Sequence, residues 1–220
     1  MLRLIMLAIL FQLQTLSGFC QTPGWTFDKP TRKRVSIPFE IVNNLIIIKL
    51  HINGSKALNF ILDTGLKSTL VTELSYGDSL TLNNATEVSI QGLGDNEAVK
   101  AYQTTQNTVR LGRAQGENQN LIVLMDNVFH LSEKLGITIN GIIGYDFFKS
   151  FVVQISYTRH RIYLYRPEDV LSLPKGYVNY PVSWNAYKPY IDIDVCTQPN
   201  DSIVKLHMLI DTGSSDALWI

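Results

Sequence analysis

Two stretches of this 220-residue chain could do chemistry with carboxylates: Asp63-Thr64-Gly65 and Asp211-Thr212-Gly213, offset by 148 residues. A given tripeptide arises by chance in a chain of this length only about three times in a hundred, so one copy says little and two say much more. Each follows an apolar run, Phe60-Ile61-Leu62 in the first case and Met208-Leu209-Ile210 in the second. An Asp at the end of a buried strand is costly unless its carboxylate is paired or richly hydrogen-bonded. The Thr that follows has a hydroxyl able to bond backbone, and the Gly permits a tight turn and close main-chain approach. Two ordinary strand-end turns capped by Asp are the bland alternative.

The elements that must position these loops read as strands. Leu45–Ile52 is rich in β-branched residues and runs straight into Asn53-Gly54, the strongest short hairpin signal, with Leu58–Leu62 as the returning strand. Further strands are expected at 69–72, 87–91, 100–111, 120–125, Val152–Ser156 and Arg161–Tyr165. Helix is confined to short turns at 130–135, where Ser132 is the expected cap, and at 145–149. Thr31-Arg32-Lys33-Arg34 reads as a solvated lead-in, and 166–175, which holds Pro167 and Pro174, as a linker. Beyond it, strands at 191–195 and 204–210 repeat the approach to the first loop, so the chain contains an internal repeat. Asp192 and Asp194 alternate with Ile191, Ile193 and Val195 and are read as solvent-facing. Leu62 and Ile210 are expected to end buried strands. The second copy stops at Ile220 in mid-strand, so a fragment or a prematurely ended reading frame is expected.

Composition narrows the function classes. With 45% hydrophobic and 17% charged residues the chain can bury a substantial core, and disorder is excluded. Its 19 basic side chains offset 19 acidic ones, so no excess positive field drives binding to nucleic acid or anionic membrane. The 14 Gly, 8 Pro and 10% aromatic content lean towards a turn-rich β protein. Arg3, the apolar run 4–11, and the small residues Gly18 and Cys20 read as a secretory signal peptide over 1–20, the run being far shorter than the roughly 20 residues of a spanning helix. The mature chain is then exported, periplasmic or extracellular. Its one thiol is Cys196, expected to be a small buried or half-buried residue.

Downstream of the first loop comes Asn140-Gly141-Ile142-Ile143-Gly144-Tyr145-Asp146-Phe147-Phe148, and between the two lies a hairpin region with Gly92-Leu93-Gly94 near its tip. In this order of parts the chain resembles the pepsin and retropepsin-like aspartic proteases, most closely the bacterial exported two-lobed members, some of which carry a PDZ domain. The resemblance implies a mainly β fold: a closed β-barrel lobe of the retropepsin type, then the start of a second similar lobe. The expected division is 1–20 signal peptide, 21–34 lead-in, 35–166 first lobe, 167–177 linker and 178–220 incomplete second lobe.

By the same resemblance Asp63 and Asp211 are the catalytic carboxylates, sharing one proton as aspartic-protease dyads do, one acting as base on a water and the other as acid. Thr64 and Thr212 would cross-link the two loops, Gly65 and Gly213 would let backbone approach the carboxylates, and Ser214 would support the second loop. Ile142, Ile143 and Gly144 would pack under the first loop. Gly92, Leu93 and Gly94 are the flap candidates. The implied substrate is an extended peptide or protein, with no cofactor and no metal. Leu66 departs from the family, which usually has Ala or Ser there; its side chain cannot donate to the outer carboxylate oxygen, which is expected to raise the pKa of Asp63.

Two readings compete with a two-lobed enzyme: a catalytically inactive peptide-binding β protein, and a protease formed by two first lobes pairing through their Asp63 loops, as identical retroviral subunits do. Other chemistries find no footing. His51, His130, His160 and His207 lack metal-ligand spacing and read as structural. Neither Gly-x-Ser-x-Gly nor a Cys-His pair supports a nucleophile.

Overall fold

The structure, a computed structural model, describes residues 24–74, 80–90, 98–170, 176–196 and 202–217. The expected signal peptide, the flap candidates Gly92, Leu93 and Gly94, and Leu218 and Trp219 lie outside the described residues.

Among the described residues the chain runs through β1 (Gly24–Phe27), β2 (Arg34–Pro38), β3 (Glu40–Val42), β4 (Leu45–Ile52), β5 (Leu58–Leu62) and β6 (Thr69–Val71). Next come β7 (Thr86–Ile90), β8 (Val99–Leu111), β9 (Ala114–Leu124), the helical turn α1 (Leu131–Leu135), β10 (Gly141–Ile143) and the helical turn α2 (Tyr145–Phe148). β11 (Val152–Ser156), β12 (Arg161–Tyr165), β13 (Ser183–Asn185), β14 (Lys188–Val195) and β15 (Val204–Leu209) follow.

Six strands close on themselves in the order β9-β6-β10-β5-β4-β8, with β8 pairing back to β9. This is the expected barrel of a retropepsin-like lobe, and closure leaves few unpaired strand edges. The run Leu45–Ile48 is apolar without alternation because β4 is covered on both sides. Ile46, Ile48, Leu50 and Ile52 join Phe60 and Leu62 in the main core, while Leu45 and Ile47 meet Ile61 and Ile139 on the other face. Each such side chain contributes about 1.5–3 kcal/mol when fully buried.

The Asn53-Gly54 turn forms as expected, with φ of 47° and 78° at its two positions. It is bonded to the adjacent strand β8. Asn53 donates from Nδ2 to Asn107 Oδ1 at 2.8 Å and accepts the N–H of Thr108 at 2.8 Å. Asn107 itself is fully buried at the point where β8 loses register with β9, and its amide donates to Thr104 Oγ1 and to the carbonyl of Gln119.

The lead-in expected over 21–34 is only partly solvent-facing. Thr31, Lys33 and Arg34 are exposed, but β1 pairs with β9 and buries Trp25 and Phe27, which meet Phe147 edge-on and Phe151 face-on. Ser132 does not cap α1: the residue before the helix is His130, in a left-handed conformation, and the Ser132 hydroxyl instead donates to Glu73 and accepts the N–H of Ile139.

Among the described residues there are two smaller sheets. β11, β12 and β2 form one, so the strand at 34–38 closes against the strand at 161–165. β13, β14 and β15 form the other, antiparallel throughout. Asp192 and Asp194 are exposed on it, as expected, and Asp192 faces His207 across the strands with Oδ1 2.6 Å from Nδ1. Two expectations fail here. Ile210 lies beyond the end of β15 and is 36% exposed, and Cys196 is exposed rather than buried. The cause is shared: among the described residues this sheet has three strands and no second layer over its apolar face, so period-two patterning does not translate into burial.

Candidate active site

Asp63 stands one residue beyond β5, where a central barrel strand meets the surface. Its N–H donates to the carbonyl of Ile143 at 2.9 Å, and β10 lies parallel to β5 with Ile142 beside Ile61 and Ile143 beside Leu62. Gly144 then closes on the loop so tightly that a Cβ there would sit 2.1 Å from the Leu66 carbonyl oxygen, a position that no side chain can share. The first N–H groups of α2, from Tyr145 and Asp146, donate to the carbonyls of Leu66 and Lys67 at 2.7 and 3.1 Å. The loop after Asp63 is therefore clasped from one side by 141–146, which is where the sequence reading put Ile142, Ile143 and Gly144.

The second loop approaches from the other side. β15 delivers Ile210, whose N–H donates to the carbonyl of Pro189 at 2.8 Å, and then Asp211. The two loops exchange hydrogen bonds in a near two-fold pattern. The N–H of Thr64 donates to Thr212 Oγ1 and the N–H of Thr212 to Thr64 Oγ1, each at 3.1 Å. The Thr64 hydroxyl donates to the carbonyl of Ile210 at 2.6 Å, and the Thr212 hydroxyl to that of Leu62 at 2.8 Å. Within each loop the Gly N–H donates to the Asp of the same tripeptide, Gly65 to Asp63 at 2.6 Å and Gly213 to Asp211 at 2.8 Å. Contact is close enough that a Cβ on Gly213 would lie 2.4 Å from Asp63 Cγ, and one on Gly65 would lie 3.2 Å from Asp211 Cγ. Ser214 accepts the N–H of Asp216, and Asn44 reaches across from the turn before β4 to the carbonyl of Ser215 at 3.0 Å.

The pair is electrically asymmetric. Asp63 is half-buried and Asp211 exposed. Burial and then the negative charge of Asp211 push the Asp63 carboxyl up to about 6, and a hydrogen bond with Asp211 acts in the same sense. The backbone N–H groups of Gly65 and Leu66 pull the other way. The expected rise at Asp63 is present, and its causes are burial and then Asp211, while the Leu66 N–H favours the charged form.

Two concavities flank the loops. A groove of about 580 Å³ on the Asp211 side is lined by Tyr190, His207, Asp211, Ser214 and Asp216 among others. A mostly apolar cavity of about 280 Å³ lies behind the threonines, between Tyr145, Phe148, Trp184, Pro189 and Ile210. Among the described residues no group of three or more His, Cys, Asp or Glu side chains is placed to hold a metal ion.

Sequence reasoning missed the residues that join the two halves away from the loops. Tyr145 meets the rings of Trp184 and Tyr187 at 5.4 and 5.3 Å, and the Lys67 ammonium sits 4.2 Å from the Tyr187 ring centre. No local pattern announces such contacts, since Tyr145 and its two partners are about 40 residues apart and Lys67 and Tyr187 about 120. Asn44 had a signal, the turn-forming pair Asn43-Asn44, with φ of 48° and 64°.

A family model described as aspartyl protease matches residues 48–147, the stretch that carries the first loop and the Ile142-Ile143-Gly144 strand. No curated protein matches the chain.

Proposed function

We propose that this chain, a retropepsin-like aspartyl protease over the matched residues 48–147, hydrolyses peptide bonds by activating water between Asp63 and Asp211. The observation that carries the reading is the reciprocal bonding of Thr64 and Thr212, which brings Gly213 against the Asp63 carboxyl and Gly65 between the two acids, close enough that the charge of one raises the pKa of the other. Two carboxyls so placed cannot both ionise cheaply, so over a range of acidic pH one proton serves both.

The ionised acid takes a proton from water as the water oxygen attacks the scissile carbonyl carbon, and the protonated partner gives its proton to the carbonyl oxygen. A gem-diol results, with no covalent bond to the enzyme. Collapse of the diol returns one proton to the pair and delivers another to the departing nitrogen, giving an acid, an amine and the original dyad. The substrate is an extended segment, which lays backbone along the groove and sets alternate side chains into opposite pockets. Residues 1–20 direct export in this reading, so the secreted chain would begin at Gln21.

Pairing of two first lobes is the second reading, and the geometry counts against it: the Thr212 hydroxyl already occupies, within one chain, the place that a second copy's Thr64 would take. The test is cleavage of an unfolded protein substrate between pH 3 and 7 and its inhibition by a peptide bearing a tetrahedral hydroxyl in place of the scissile carbonyl. Cleavage blocked by that compound and indifferent to chelators supports the proposal; cleavage abolished by chelators, or no cleavage at any pH, removes it.

A further inference from the structure

We infer that Tyr187 is a positioning residue for the second aspartate: a strained turn holds its ring between Tyr145 and Lys67 and thereby fixes where β14 and β15 deliver Asp211. The inference rests on the proposed pairing of Asp63 with Asp211.

Asn185 pairs with Lys188, so Ala186 and Tyr187 alone join β13 to β14, and both have left-handed backbones with φ of 48° and 69°. Turns of this kind favour Asn-Gly, the pair this chain uses between β4 and β5. A Cβ at either position is unfavourable, and a bulky side chain is rarer still. Such strain persists only where the surroundings over-determine it. Here the surroundings are Tyr145, whose ring lies 5.3 Å from that of Tyr187, and Lys67, whose ammonium lies 4.2 Å from the centre of the same ring.

Both partners are tied to the first loop. The Tyr145 N–H bonds the Leu66 carbonyl at 2.7 Å, and Lys67 itself follows Asp63-Thr64-Gly65-Leu66. The path from Tyr187 to the second carboxylate is as short. Pro189, two residues on, accepts the N–H of Ile210 at 2.8 Å, and Asp211 is the next residue. The threonine exchange, with the Asn44 side chain on the Ser215 carbonyl, fixes the loops themselves. The tilt of the strand pair is set farther out, beyond the apolar cavity of about 280 Å³, where the Tyr187 ring meets Tyr145 and Lys67 beside the contact of Trp184 with the same Tyr145 ring.

The experiment compares Tyr187→Gly and Tyr187→Phe in the full chain. Glycine removes the ring and also the backbone strain, so a mere turn role predicts an equal or higher melting temperature with unchanged chemistry. A positioning role predicts that the Asp63 carboxyl, followed by carbon-13 NMR, titrates lower than in wild type as Asp211 drifts away, because the charge and hydrogen bond of Asp211 are withdrawn while the contribution of burial stays. It also predicts a kcat lower by about 10- to 100-fold with KM nearly unchanged. Tyr187→Phe keeps the ring and should match wild type on both readouts. If Tyr187→Gly leaves the Asp63 titration where it was, the inference is overturned. If no form of the chain cleaves peptide, the proposed function falls while the titration still decides the role of Tyr187.

Discussion

Thr64 and Thr212 each accept the other's backbone N–H at 3.1 Å, and each donates its own hydroxyl hydrogen to the carbonyl of the residue immediately before the opposite aspartate. Four hydrogen bonds thus run between segments that the sequence separates by 148 residues. The arrangement makes one carboxylate's position depend on the other loop's backbone, which is what a shared proton requires.

Replacing Thr212 by Ala leaves the Thr64 N–H without its acceptor and the Leu62 carbonyl without its donor. Groups left unsatisfied in this way cost about 1–3 kcal/mol, so amide exchange at Thr64 should accelerate by about 5- to 150-fold. Thr212→Ser keeps the hydroxyl and should exchange nearly as wild type. Equal exchange in all three proteins would show that the loops are held together by something else.

Asp63→Asn should stabilise the chain at neutral pH and lose that advantage in acid. The sign follows from the raised pKa. The folded group holds its proton up to about 6 while the unfolded one releases it near 3.8, so the native state binds more protons between those values and stability falls as pH rises through them. Above about pH 6 the wild type carries the whole penalty, at most about 3 kcal/mol, and Asn removes it. Melting temperatures of the two proteins should converge near pH 3.5 and diverge by pH 7; a constant difference across that range would contradict the cause given for the shift.

Gly144→Ala puts a methyl group 2.1 Å from a backbone oxygen that cannot move without unseating the Asp63 loop. Overpacking of this kind typically costs about 1–3 kcal/mol, and the loop should shift with it. Ile142→Val, on the same strand but half-buried, should cost about 0.5–1.5 kcal/mol and leave the loop in place. Denaturant melts of the two variants, with peptide turnover measured on each, check the contrast.

The barrel was legible where hydrophobic runs met turn chemistry. Leu45–Ile52 and Leu58–Leu62 were readable with their ends because β-branched residues flank Asn53-Gly54, whose positive φ values demand that pair. β1 was not readable: four residues are too few to display a period, and what holds Trp25 and Phe27 is their contact with Phe147 and Phe151, far along the chain. The first half of β9 also escaped, because Gln115, Glu117 and Asn118 are polar and the strand exists through its pairing with β8 and β1. At the site, the tripeptides and the Ile142-Ile143-Gly144 strand were visible as motifs. The Leu66 N–H and the Tyr187 contact were not, since one is a backbone group that every residue has and the other depends on tertiary placement.

The most direct measurement of the central claim is the turnover of an extended peptide by wild type, Asp63→Asn and Asp211→Asn at acidic pH, each over a range of protein concentration. The account predicts turnover per molecule that is independent of concentration in the wild type and lower by at least about 100-fold in both variants, since one carboxylate cannot be acid and base in the same step. Full turnover in Asp211→Asn, rising with the square of protein concentration, would contradict it and assign the chemistry to two paired first lobes.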